Sequence, residues 1–137
     1  IAGNDEGADQ VEEVLKRFGV TLLRVPNTGY DIHIDGCFVM IDVDRAIVDS
    51  TMLPYWFLEK LKELKIECIE KHENDGPFGV NCLAIEPGKI IMADEAASTI
   101  EKLSKMKFEV IPVNVSEIVK GGGGVHCSTK SLQRDDI

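Results

Sequence analysis

The sequence predicts an α/β fold built from repeated strand-strand-helix-strand modules. The stretches LKRFGVTLLRVP, LKELKIECIEK and LSKMKFEVIPV each close an amphipathic helix and run into an apolar strand, and their leading residues Leu15, Leu61 and Leu103 stand 46 and 42 residues apart. Ahead of the second and third helices lie paired apolar runs, IHIDGCFVMI with RAIVD and NCLAIE with KIIMA, joined by the short turns DVD and PG. A unit of this kind cannot bury both faces of its own sheet, so copies are expected side by side around an axis, strands inside and helices outside.

In chain order, residues 1–30 read as the end of one module. Val11, Val14, Leu15 and Phe18 form one helical stripe, Gly19 ends the helix, and a strand follows. Residues 31–71 hold the next module, with Pro54 at the first helical turn and Leu53, Phe57, Leu61 and Leu64 as its buried stripe. Residues 79–120 hold another, whose helix buries Ala96, Ile100 and Leu103. Residues 121–137 read as a closing strand that carries Cys127, since apolar Val125 and polar Ser128 and Thr129 alternate as a strand would. Two full modules and the tail of another leave a sheet edge open, which missing N-terminal modules or another subunit would cover. The chain lacks an initiator Met and begins almost directly in a helix pattern, so it reads as the C-terminal part of a longer protein.

Composition sets the surroundings. With 137 residues, 44% hydrophobic content and 28% charge, the chain suits one soluble domain with its own core. Its net charge of −9, spread along the chain, argues against nucleic acid and anionic membrane as partners. Cys37, Cys68, Cys82 and Cys127 form no CxxC pair and no dense framework, which fits thiols in a reducing compartment, the cytoplasm. No signal peptide or apolar run of about 18 residues is visible.

The segment GGGGVHCSTK concentrates the chemistry. It fails as a phosphate loop, because Lys130 follows Thr129 with no glycine before it. Glycines feeding a strand permit close backbone approach to something bound, against the plainer reading of a flexible linker. Cys127 is either a buried structural thiol or a nucleophile, and a nucleophile needs a base. Of the other thiols, Cys68 in IECIE and Cys82 in NCLAIE are expected to be buried and slow, which leaves Cys37 as the nearest competitor of Cys127. As a strand neighbour, His126 is expected on the opposite face and so is a poor partner. His33 in DIHIDG is the better candidate, placed on a strand within two residues of Asp31 and Asp35, which share its face and can orient the imidazole. A zinc site from His33, Asp35, His126 and Cys127 lacks the usual ligand pairs, so neither metal nor cofactor is expected. His72, in the polar stretch KHEND, reads as a loop residue.

Taken together and in this order, YDIHIDGCFVMID, NCLAIEPGKIIM and SEIVKGGGGVHCSTKSLQRD resemble the guanidino-group-modifying superfamily, the penteins: arginine deiminases, dimethylarginine dimethylaminohydrolases and amidinotransferases. The resemblance spans nearly the whole chain. It implies a partial α/β propeller, five modules in the complete family fold, with the active site on the central axis. It further implies that Cys127 attacks the guanidinium carbon to give a covalent thiouronium-like adduct. His33 would serve as acid and base, and Asp35 would hold a substrate nitrogen or orient the site. Gly123 and Gly124 would let backbone lie beside a planar cation. The implied partner is a small cationic guanidino substrate.

The family's further substrate carboxylates, including a Glu-Gly-Gly-Asp strand, lie upstream of the His-x-Asp module and have no counterpart here. The chain alone is therefore expected to turn over arginine-like substrates poorly, for want of charge-assisted bidentate bonds. Hydrolase and amidinotransferase differ only in whether water or an amine reaches the adduct. A binding module on the same scaffold without chemistry is the alternative of another class.

Overall fold

The computed structural model describes residues 3–26 and 32–133. Its secondary structure starts with helix α1 (Asp5–Lys16), where Asn4 caps the open end by accepting a hydrogen bond from the Gly7 backbone N–H at 2.8 Å. Two three-stranded sheets follow, with identical internal topology. In the first, β1 (Phe38–Met40) pairs antiparallel with β2 (Arg45–Val48), helix α2 (Tyr55–Glu63) crosses over, and β3 (Glu67–Glu70) returns parallel to β2. The second repeats the order with β4 (Leu83–Glu86), β5 (Lys89–Ala93), helix α3 (Ala97–Lys105) and β6 (Glu109–Val113). A short α4 (Ser116–Val119) leads into the glycine run. No helix among the described residues is long and apolar enough to cross a membrane.

The sequence repeat has a single local cause. Leu15, Leu61 and Leu103 each offer their carbonyl to an N–H five residues on, that of Val20, Ile66 and Phe108, at 3.1, 2.9 and 3.1 Å. The intervening residues Gly19, Lys65 and Lys107 take the left-handed conformation, at φ of 70°, 60° and 68°, so all three helices end in the same Schellman-type turn. Glycine adopts that conformation without strain, whereas the two lysines carry roughly 1–2 kcal/mol each.

Period-two alternation sorts the strands between cores. On β2, Ile47 faces the main cluster while Ala46 and Val48 face α2 through Phe57 and Leu61. On β5, Ile90 and Met92 face the main cluster while Ile91 and Ala93 face Val115 and Val125. The main cluster joins both sheets, because Val39, Ile47 and Ile69 share it with Cys82, Ile90, Met92 and Leu103. Ile47 and Ile90 are fully buried, and burial of each such side chain contributes about 1.5–3 kcal/mol. The α1 stripe differs from expectation: Val11, Val14 and Phe18 are exposed, and no α1 residue is buried.

Three expected strands also differ. Residues 21–26 join neither sheet. The run before Phe38 is not strand but a 3₁₀ turn over Ile34–Gly36, closed by the Cys37 N–H donating to the Ile34 carbonyl at 2.9 Å. The closing segment is not strand either. It turns at Gly122, with φ of 85°, and enters a 3₁₀ turn over His126–Ser128. Asp31 lies outside the described residues.

Helix α3 receives its cap from a distant loop. Ala96 has no side chain to offer, and instead the Asp75 carboxylate accepts from the Ser98 and Thr99 N–H groups at 3.3 and 2.6 Å. Burial pushes the Asp75 carboxyl up, but hydrogen bonds from Thr99 and Ser98 outweigh it and hold the group below the usual carboxylate range. A folded pKa below the unfolded one gives stability that is complete at neutral pH and is lost as pH falls through the folded value. Asp75→Ala is therefore expected to cost about 1–2 kcal/mol at neutral pH. In urea titrations followed by circular dichroism, the gap to the parent should narrow below about pH 4. A gap independent of pH would contradict the cap.

Candidate active site

Three segments that are remote in sequence meet at Cys127. The 3₁₀ turn after Gly124 presents the thiol at an exposed position, with Ser128 Oγ donating to the Gly124 carbonyl at 2.8 Å to close the turn. Cys127 Sγ lies 3.5 Å from Asp35 Oδ2, and the same carboxylate oxygen lies 2.8 Å from His126 Nδ1. The expected divergence of His126 and Cys127 is thus overturned. Adjacent strand side chains point to opposite faces, but a 3₁₀ turn separates neighbours by only about 120°, so both reach one carboxylate.

Asn81 completes the cluster and is 1% exposed. Its Nδ2 donates to the Asp35 carbonyl and to Cys127 Sγ, both at 3.2 Å. Its Oδ1 accepts from the backbone N–H of His126 at 2.9 Å and, more weakly, from that of Cys127 at 3.4 Å. Sequence reasoning passed over this residue as the start of an apolar run. The available signal was a lone amide in VNCLAIE, where burial demands partners.

The glycines acquire separate reasons. A Cβ on Gly124 would sit 2.5 Å from Asn81 Oδ1, and one on Gly123 would sit 3.1 Å from the Cβ of Cys127. Both therefore permit close packing within the chain, next to the sulfur. His33 is exposed in extended backbone just before the 3₁₀ turn, not on a strand, and its ring has no hydrogen-bond partner among the described residues. The structure therefore brings Asp35, His126 and Asn81 directly to Cys127, and His33 only through its place two residues before Asp35. His72, expected as a loop residue, lies between β3 and the next 3₁₀ turn, its ring accepting from the Asn74 N–H at 3.2 Å.

The other thiols differ in setting. Cys82 is buried, and burial pushes its pKa up to about 12. Cys37, next to the site in sequence, is also buried, with Sγ donating to the Ile34 carbonyl at 3.4 Å. Cys68, expected to be buried in its strand, is exposed, although partial burial and then Glu70 still raise its pKa. Among the described residues no group of three or more His, Cys, Asp or Glu side chains is arranged to hold a metal ion. What the arrangement offers is an accessible sulfur flanked by a carboxylate that can accept N–H groups beside it.

Comparison with known proteins shows the family. The chain is 39% identical over 151 aligned residues to an arginine deiminase of Mycoplasma capricolum, covering 86% of this chain and 37% of that relative. It thus spans well under half the length of the protein it matches. An inosamine-phosphate amidinotransferase from Streptomyces griseus shares its fold with a TM-score of 0.78 at 20% identity, over 98% of this chain and 42% of the other. A dimethylarginine dimethylaminohydrolase captured as an adduct with 4-chloro-2-hydroxymethylpyridine gives a TM-score of 0.67 at 25% identity, over 90% and 47%. The family model for arginine deiminase matches residues 58–134, a stretch that takes in both Asn81 and Cys127, and the chain belongs to the arginine deiminase family.

Proposed function

We propose that this chain carries the nucleophile half of a guanidino-compound hydrolase site of the arginine deiminase or dimethylarginine dimethylaminohydrolase type. Cys127 passes its thiol proton to His33 as Sγ attacks the guanidinium carbon, and the tetrahedral adduct expels an amine that takes that proton from His33. A thiouronium-like intermediate remains. His33 then removes a proton from water, the resulting oxygen adds to the same carbon, and the C–S bond breaks to release a ureido product and the thiol. Asp35 holds a substrate nitrogen beside the sulfur. Gly123 and Gly124 keep the thiol's flank low enough for a flat cation to approach. Acceptance of an amine in place of water would make the same site an amidinotransferase.

The observation that carries this reading is the 3.5 Å approach of Cys127 Sγ to the Asp35 carboxylate at an exposed position. The propeller belongs to the same proposal. Two sheets of one topology side by side are what a longer array requires, with upstream modules or another subunit supplying the remaining substrate carboxylates. A working thiol nucleophile also requires a reducing setting, in keeping with the cytoplasm.

Competitive labelling tests the site directly. Under limiting 2-chloroacetamidine, a small cationic electrophile, peptide mapping should find Cys127 modified first, with Cys68 as its nearest competitor and Cys37 and Cys82 protected. The ratio of Cys127 to Cys68 labelling should exceed that with neutral iodoacetamide by roughly tenfold, because the carboxylate concentrates the cation. Equal ratios with the two reagents would defeat the guanidinium reading and favour a binding module without chemistry.

A further inference from the structure

We propose that Asn81 is the positioning residue of the nucleophile: it fixes the Cys127 turn through Oδ1 and supplies through Nδ2 the hydrogen bond that the sulfur needs as it becomes negative. The inference deepens the preceding reading and rests on it for the identity of the nucleophile. A primary amide has two N–H donors and one oxygen with two lone pairs, and the four contacts of Asn81 use all of them. The orientation of the amide is fixed by its partners. Backbone N–H groups of His126 and Cys127 can only donate, so the oxygen must face them, and the nitrogen must face the Asp35 carbonyl and the sulfur. Nothing is left over for a substrate, so Asn81 acts through Cys127 and does not touch the reacting molecule.

The charged groups facing the sulfur make the donor matter. Asp35 lies at 3.5 Å, and His126 Nδ1 lies 2.8 Å from the same carboxylate oxygen. While the thiol keeps its proton it can donate to Asp35. Once ionised it loses that bond and meets a carboxylate instead, leaving the Asn81 N–H as a donor that strengthens with the charge on sulfur. Gly124 belongs to the same device, since any side chain there would collide with Asn81 Oδ1.

Asn81→Asp separates the two roles, because it keeps the acceptor for the backbone N–H groups and removes both donors. With iodoacetamide at neutral pH, Cys127 labelling relative to Cys68 should fall about ten- to hundredfold, the range of a hydrogen bond to a charged group. The pH–rate profile of Cys127 should also move to higher pH, and Gly124→Ala, which displaces the amide without adding charge, should move it the same way, so that the new carboxylate alone does not account for the shift. Continued protection of buried Cys82 reports that the variant is folded. An unchanged Cys127 rate with Cys82 protected would overturn the proposal. Should Asn81→Asp expose Cys82, Gly124→Ala displaces the amide without adding charge and must lower the Cys127 rate likewise, and an unchanged rate there is equally fatal. Since iodoacetamide is neutral, these outcomes stand apart from the cation preference on which the guanidino reading depends.

Discussion

Cys127→Ser, in a chain that also supplies the upstream carboxylates, lowers kcat on an arginine-like substrate by at least about 10⁴-fold. Serine keeps the size and one hydrogen bond of the thiol, but its oxygen ionises far less readily, and the carboxylate of Asp35 nearby discourages an alkoxide further. The position is exposed in a short surface turn, so the change should leave folding stability within about 0.5 kcal/mol of the parent. Steady-state rates and thermal melts on the same preparations check both halves. Retention of more than about a hundredth of the parent's turnover would mean that the sulfur is not the nucleophile.

His33→Ala is expected to remove about 10²–10⁴ in kcat, the usual contribution of a general acid and base. His126→Ala should cost less, roughly tenfold, because it removes an orienting contact to Asp35 rather than the proton carrier. The comparison is sharp because the two imidazoles stand in opposite situations. His33 is exposed and its ring has no partner among the described residues, whereas His126 is tied to Asp35 at 2.8 Å. The pH–rate profile should lose a limb with the His33 change and keep both with the His126 change. The reverse order of effects would transfer the acid–base role to His126.

The repeating architecture was legible because it rests on local chemistry. Leu15, Leu61 and Leu103 announced three helix ends that each close with the same kind of carbonyl bond, and the apolar runs RAIVD and KIIMA matched β2 and β5 closely. The α1 stripe had the right period but not the burial, since period says which residues share a face and not what covers them. The site was legible only in part. Cys127 was named from the glycine run and Asp35 from its place beside His33, with roles supplied by the family resemblance, whereas their contact depends on a chain separation of 92 residues that no local pattern encodes. Alternation at Val125, Ser128 and Thr129 suggested a strand, yet hydrogen bonds within the segment close a turn, and that one difference reversed the expected direction of His126. The ranking of thiols failed likewise. Cys37 and Cys68 exchange places because one follows a tight turn into the core while the other lies on the open face of β3.

The sulfur's surroundings straddle the junction of the two sheets: Asp35 precedes β1, while Asn81 precedes β4 and Cys127 follows β6. Each ladder holds itself together by backbone bonds, but the cluster at the thiol exists only while the two are docked. A sub-global opening along that junction would strip the Cys127 thiol of its partners with every strand pair intact. Inactivation on warming would then run ahead of any loss of helix or sheet, and the working range of the protein would be set by docking rather than by melting.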